Sequence, residues 1–307
     1  NFPFIRFINF FPSNFLISLG FKPFSGLIIF DIPDNFRILN IPNKIFLLKV
    51  KDSNILSLDG KSCNNRSVEE SCTIVSKPEN DSIYILGDSS LRTLSSALLE
   101  NPNISNYNLT HFTGNDCVFI FDKNPTKESC PNKSIEKKNE FGKNIKDSII
   151  IYGARFPVYF SGTGFDNGTV KEDIEIFVID GLKEEIVKTL KTFEDNNNQI
   201  ILIYPIPTQG WNVPELFFYK DLPANATVSY PNEVWFERQK EAVEFLDSLD
   251  LQNVKRIYPS DTFCKNIIEG ACVGAINGNI YYSDDDHLSL KGSRLISDEI
   301  MNYLSEN

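Results

Sequence analysis

The sequence predicts an α/β fold, a parallel sheet covered by helices on both faces, on three observations. Apolar, β-branched runs alternate with helix-patterned stretches, as strands and crossover helices do in such sheets. The last stretch carries Leu295, Ile296, Ile300, Tyr303 and Leu304 on one helical stripe. Between the first run and the first helical stretch stands Gly87-Asp88-Ser89-Ser90, which puts Ser89 on a strand-to-helix turn. Ligands in open α/β sheets sit beyond the carboxyl ends of the strands, where that turn falls.

In chain order, residues 1 to about 50 differ from the rest. They are Phe-rich and apolar, broken by Pro3, Pro12, Pro23, Pro33 and Pro42. Arg6, Lys22 and Asp31 interrupt them, so no window reaches the ~20 apolar residues of a membrane span. They also lack the basic start and small-residue cleavage site of a signal peptide. Two readings remain open: the end of a membrane segment plus a linker, or short strands and loops packed on the main domain. Residues 1–75 are taken as an extension and 76–307 as the main domain. Strands are expected at 82–86, 117–121, 148–152, 200–204 and 254–258, and helices at 91–100, 182–195, 233–249 and 288–304. No internal repeat or low-complexity tract occurs. A chain that begins at Asn1 reads as processed or as a piece of something longer.

Composition bounds the partners. The 307 residues are enough for a sizeable core, and a net charge of −11 without a Lys/Arg cluster excludes nucleic acid and anionic membrane surfaces as ligands. Six cysteines fall in three close pairs, Cys63/Cys72, Cys117/Cys130 and Cys264/Cys272. Even number and local pairing predict disulfides and an oxidising compartment, although six cysteines permit other connectivities. No pair has C-x-x-C spacing and there are two histidines, so no zinc site, and no metal, is expected.

The chemistry narrows on those histidines. His111 stands among Thr110, Phe112 and Thr113 with no acidic residue at short spacing. His287 follows Asp284, Asp285 and Asp286. In a turn leading to a helix, the residue three before can fold its carboxylate back onto Nδ1, which fixes the tautomer and supports an imidazolium. Ser89, His287 and Asp284 thus supply nucleophile, general base and orienting carboxylate. Asp285 and Asp286 are expected to point elsewhere, Asp286 as a helix N-cap. A calcium loop lacks its alternating oxygens and later Glu.

Gly87-Asp88-Ser89 and Asp284-x-x-His287 resemble the first and last sequence blocks of the SGNH (GDSL-like) hydrolases, whose fold is a three-layer, flavodoxin-like parallel sheet. Ile151-Tyr152-Gly153-Ala154-Arg155-Phe156-x-x-Tyr159, Tyr204-Pro205-Ile206-Pro207, Gly210-Trp211 with Val213-Pro214, the Cys63/Cys72 pair and Tyr281-Tyr282-x-Asp284-x-x-His287-Leu288-Ser289 are similar to one branch. That branch is the SGNH domains fused to the acyltransferase-three membrane domain of bacterial surface-glycan O-acyltransferases. The likeness covers about residues 60 to 304.

The resemblance implies Ser89 as nucleophile, with its own N–H as the first oxyanion donor and Gly114 in Thr113-Gly114-Asn115-Asp116-Cys117 as the second. The family's third donor is an Asn, and here the matching strand ends in Arg155 instead. An arginine can donate to the oxyanion, to a substrate carboxylate or hydroxyl, or form a structural ion pair. Trp211 is either a sugar-stacking platform or core, and Asp88 is grouped with it as substrate-binding. The implied activity is O-acyl transfer, with acetyl as the implied group handed over by a membrane acyltransferase domain, onto hydroxyls of a surface polysaccharide or lipopolysaccharide, without cofactor. The implied location is the periplasmic or extracellular face, tethered to the inner membrane through a fused transmembrane domain. The alternatives are a secreted carbohydrate or lipid esterase with the same triad, an inactive glycan-binding module, and an anchoring role for the Phe-rich segment.

Overall fold

The computed structural model describes residues 55–123, 135–162, 178–220 and 222–306, with the backbone of six short strands elsewhere. The chain divides into two compact units, Asn1–Ser53 and Asn54–Asn307. In the first, Ile5–Phe7 pairs antiparallel with Ile28–Phe30, and Phe36–Ile41 with Lys44–Lys49. The remainder of the Phe-rich segment lies outside the described residues. Among the described residues no helix is long and apolar enough to cross a membrane. The second unit starts upstream of the 75/76 boundary expected from composition.

In chain order the second unit carries β1 (Cys72–Ile74), β2 (Asp81–Asp88), α1 (Leu94–Glu100), β3 (Tyr107–Gly114), α2 (Ile135–Asn144), β4 (Ile149–Gly153), α3 (Phe156–Ser161), α4 (Leu182–Asp195), β5 (Gln199–Ile203), α5 (Val213–Tyr219), β6 (Val228–Pro231), α6 (Asn232–Asp247), β7 (Val254–Ile257), β8 (Ala271–Ile276), β9 (Asn279–Ile280) and α7 (Leu290–Glu306). The main sheet runs β7-β5-β4-β2-β3-β1. Its first five strands are mutually parallel and β1 is antiparallel on the β3 edge. Numbered along the chain, the parallel strands have the 2-1-3-4-5 order of flavodoxin-like sheets. The switch point therefore lies between β2 and β4, at their carboxyl ends.

Strand alternation sorts side chains onto two apolar layers. Ile83, Ile85, Ile151, Ile201, Ile203 and Ile257 pack with Leu94 and Leu98 of α1 and Ile296, Ile300 and Leu304 of α7. Leu86, Ile150, Tyr152, Ile200 and Leu202 face the opposite layer, with Ile186, Leu190 and Phe193 of α4 and Leu246 of α6. The result is the three-layer α/β domain that the alternation implied.

Of the expected strands, 117–121 is not one. Phe119 and Phe121 are buried against Phe193, with ring centroids 6.1 and 5.4 Å away. Side chains, not a ladder, satisfy this backbone: Phe121 N–H donates to Thr189 Oγ1 at 3.0 Å, and Phe119 C=O accepts from Tyr152 Oη at 2.7 Å. The strand is β3, whose buried residues include Asn108, Thr110, His111 and Thr113, so its pattern is not apolar. Two of the expected bridges are present, Cys63–Cys72 and Cys264–Cys272. Cys117 is also disulfide-bonded, while Cys130, its expected partner, lies outside the described residues.

Gly87 and Gly153 are register partners on β2 and β4. A Cβ on Gly87 would lie 2.1 Å from the Gly153 carbonyl oxygen and 3.0 Å from Leu91 Cδ1. Backbone cannot yield as a side-chain tip can, so Gly87→Ala is expected to destabilise the domain by about 1–3 kcal/mol. The shift in the urea unfolding midpoint checks this.

Candidate active site

The first half of the site is built on β2. The strand ends at Asp88, and Ser89–Leu91 form a 3₁₀ turn before α1. Leu91 drops its Cδ1 onto the Gly87/Gly153 pair, so the two residues without side chains seat the turn. Asp88 is 1% exposed. Its Oδ1 accepts from Ser90 N–H at 2.9 Å and Ser90 Oγ at 2.6 Å. Its Oδ2 accepts from Arg155 N–H at 2.9 Å and Tyr159 Oη at 2.7 Å. Four donors inside the fold leave it nothing for a ligand, which corrects its assignment as substrate-binding: it ties the turn after β2 to the turn after β4. Burial and Asp88 together push the Tyr159 phenol well above its ordinary pKa.

The second half is the loop between β9 and α7. Tyr282 and Leu288 form a bridge across its neck, and Ser283 N–H donates to His287 C=O at 2.9 Å. Asp284 Oδ1 accepts from the N–H groups of Asp286 and His287, at 3.0 and 2.7 Å, an Asx-type turn that curls the loop. The curl brings His287 Nδ1 to 3.1 and 3.0 Å from the Asp284 oxygens. The far nitrogen, Nε2, lies 2.9 Å from Ser89 Oγ. Ser89, Asp284 and His287 are all buried.

Residues just after the Ser89 turn dock this loop. Arg92 Nη2 reaches Asp284 Oδ2 at 3.3 Å, both side chains buried. Thr93 Oγ1 donates to Leu288 C=O at 3.2 Å and lies 2.6 Å from Ser293 Oγ. Neither residue stands out in sequence, because each falls inside an ordinary helical stretch.

Asp286 departs from expectation. It does not cap a helix pointing away; its Oδ1 lies 2.5 Å from His287 Nδ1 and its Oδ2 pairs with Arg155 Nη1. Burial opposes the charge of His287, but Asp286 and then Asp284 outweigh it and hold the imidazole above its ordinary pKa of 6.5. Burial likewise opposes the charge of Asp286, and His287 and Arg155 overcome it, lowering that carboxyl. Asp285 shifts the other way, raised by burial and by Asp286. Asp284, Asp286 and His287 offer ligand atoms within 4.8 Å of one another, the one such group among the described residues. Each carboxylate already faces a guanidinium, however, and that charge opposes a cation there.

Gly114 ends β3 opposite Asp88 in the register, so its backbone stands beside the Ser89 turn. A chain of hydrogen bonds running from the buried His111 to the surface holds this region. Thr113 Oγ1 donates to Asn64 Oδ1 at 2.7 Å, so it accepts from His111 Nε2 at 2.7 Å. His111 Nδ1 then accepts from Ser95 Oγ. Asn65 N–H donates to Thr113 C=O at 2.7 Å and Asn115 N–H to Asn65 Oδ1 at 3.3 Å. His111 is therefore a neutral structural link. Trp211 is half-buried against the core, edge-on to Tyr230 with ring centroids 6.5 Å apart. Its loop is pinned to the histidine loop on both sides: Gln209 N–H donates to Asp285 C=O at 2.6 Å, and Val213 N–H to Asp284 C=O at 3.1 Å.

Burial, with Arg66, pushes His111 down to about 3. The unfolded chain binds this proton below pH 6.5 and the folded chain does not, so stability is present above 6.5 and is lost as pH falls. His111→Gln is expected to reduce the slope of unfolding free energy between pH 6 and 4 by about 1.4 kcal/mol per pH unit, as measured by urea titration.

Comparison with known proteins bears on this geometry. The model of the SGNH domain fused to AT3 domains matches residues 59–302. The structure is similar to the periplasmic domain of a lipopolysaccharide acetyltransferase from Salmonella ser. Paratyphi A, with TM-score 0.52 and 17% identity, covering 80% of this chain and 92% of that one. An acetyl xylan esterase, AlAXEase, aligns with TM-score 0.39 and 13% identity over 72% of this chain and 98% of that one. No curated protein sequence matches. With four-fifths of the chain matched, and a 2-1-3-4-5 sheet carrying Ser89 at its switch point, the protein belongs to the SGNH domains of the AT3-fused type.

Proposed function

We propose that this domain transfers an acyl group through Ser89 onto hydroxyls of a surface glycan. The observation that carries the reading is the line Ser89 Oγ, His287 Nε2, His287 Nδ1, Asp284, with hydrogen-bond distances of 2.9 and 3.0 Å. Ser89 Oγ attacks the donor's carbonyl carbon while its proton passes to Nε2. The tetrahedral oxyanion is met by the N–H groups of Ser89 and Gly114. Collapse breaks the bond to the donor's leaving oxygen or sulfur, which takes the proton from His287. A sugar hydroxyl then attacks the acyl-enzyme, His287 accepts its proton, and Ser89 Oγ leaves and is reprotonated. Asp284 keeps Nδ1 protonated throughout, which leaves Nε2 free to accept.

The family's fusion to AT3 domains supports a membrane-embedded donor of the acyl group, which the reading takes to be acetyl, and an extracytoplasmic location. The disulfides agree with that location. Trp211, on the loop pinned to Asp284 and Asp285, is the proposed platform for the acceptor sugar. Water in place of the sugar gives an esterase with the same residues.

The test is acyl release from p-nitrophenyl acetate. Wild type is expected to show a burst, and Ser89→Ala to lose it with turnover reduced by at least about 1,000-fold. Equal rates with the fold intact would refute the nucleophile. Acylated sugar formed on adding a glycan acceptor separates transfer from hydrolysis.

The acid limb of kcat/KM is expected above pH 6.5. His287 accepts a proton only when neutral, and Asp286 and Asp284 raise its pKa from that value against the opposing effect of burial. A pH–rate profile with the same ester checks the position of the limb.

A further inference from the structure

Arg155 occupies the place where the family pattern has an Asn oxyanion donor. One end of its guanidinium is engaged: Nη1 pairs with Asp286 Oδ2, and Asp286 Oδ1 lies 2.5 Å from His287 Nδ1. The backbone of Arg155 is fixed too, through its N–H to Asp88 Oδ2. Asp286 is 6% exposed, so a swing of Arg155 toward a substrate oxygen would strand a buried carboxylate against the histidine. Two Asp–Arg couples thus converge on one imidazole nitrogen. Asp284, backed by Arg92, accepts its hydrogen bond; Asp286, backed by Arg155, adds a second, adjustable charge.

We propose that Arg155 is a positioning residue that acts on His287 through Asp286, and not a donor to the oxyanion. By shielding Asp286, Arg155 limits how strongly the second carboxylate holds a proton on the imidazole. His287 can then return to the neutral form that a general base needs. This rests on His287 being the general base, although its readout does not require turnover. The charged and titratable groups facing the couple are Asp284, Asp285 and His287 from its own loop, Asp88 at the end of β2, Tyr159 of α3, Arg238 of α6, and Arg92 against Asp284.

The chain has two histidines, and His111 stays neutral down to about pH 3. A ¹H–¹³C NMR titration between pH 5 and 9 therefore reads His287 alone. Arg155→Gln is expected to raise the His287 midpoint by roughly one pH unit, because Asp286 loses its counter-charge. Arg155→Lys should largely restore it, and Asp286→Asn should lower it. In an Asp286→Asn background, Arg155→Gln should shift it little. The acid limb of kcat/KM on p-nitrophenyl acetate should move with each midpoint. Three results would overturn the proposal. One is a pH-independent loss of kcat in Arg155→Gln with the midpoint unmoved, which would assign Arg155 to the oxyanion through its buried Nε–H, a donor with no acceptor among the described residues. The second is a shift that persists in the Asp286→Asn background. The third is an Asp286→Asn midpoint equal to wild type, which decides the matter even if Arg155→Gln does not fold. If Ser89→Ala keeps its activity while these midpoints move as expected, the proposed function fails and this coupling stands.

Discussion

The site depends on one buried carboxylate that does no chemistry. Asp88 collects four donors, two from Ser90, one from the Arg155 backbone and one from Tyr159. It therefore joins the turns after β2 and β4, the two strands that flank the switch point. Hydrogen bonds to a charged acceptor in a low-dielectric interior are strong, and leaving such a group unpaired is costly. The Ser89 turn and the position of Arg155 consequently behave as one unit. Any change that frees Asp88 would loosen both.

A second constraint brings together halves of the site that lie nearly two hundred residues apart. α1 and α7 pack side by side on the same face of the sheet, and the residues entering them make the contacts. Arg92 meets Asp284, and Thr93 meets Leu288 and Ser293. Since Arg92 and Thr93 directly follow the Ser89 turn, the segment that leads from the serine into α1 also fixes the histidine loop. Ser89 and His287 are thereby aligned by rigid elements, not by the loop alone.

Charge is balanced in pairs around His287. Asp284 faces the imidazole with both oxygens and Arg92 with Oδ2, while Asp286 faces the imidazole with Oδ1 and Arg155 with Oδ2. Two carboxylates unshielded beside one histidine would keep it protonated; two arginines moderate that field. Asp285, which has no such paired partner in this arrangement, is instead raised by burial and by Asp286.

The sequence by itself determined four of the five parallel strands, four of the helices and the three residues that meet in the Ser89–His287–Asp284 line. Period-2 apolar strands and a 3.6-residue apolar stripe are local patterns, and α4 follows its predicted span end to end. The Asp284–His287 contact was legible for the same reason, because a three-residue turn sets it. The misplaced strand shows the limit of such patterns: residues 118–121 are apolar because they fill a core, whereas β3 carries polar residues whose partners come from Asn64 and Ser95. Asp88 stood with Trp211 as substrate-binding, and Arg155 left three roles open, until the fold gave each its partner. Only the tertiary structure could decide those points, because a side chain's protonation, availability and charge depend on groups brought near by packing, and no spacing along the chain encodes them.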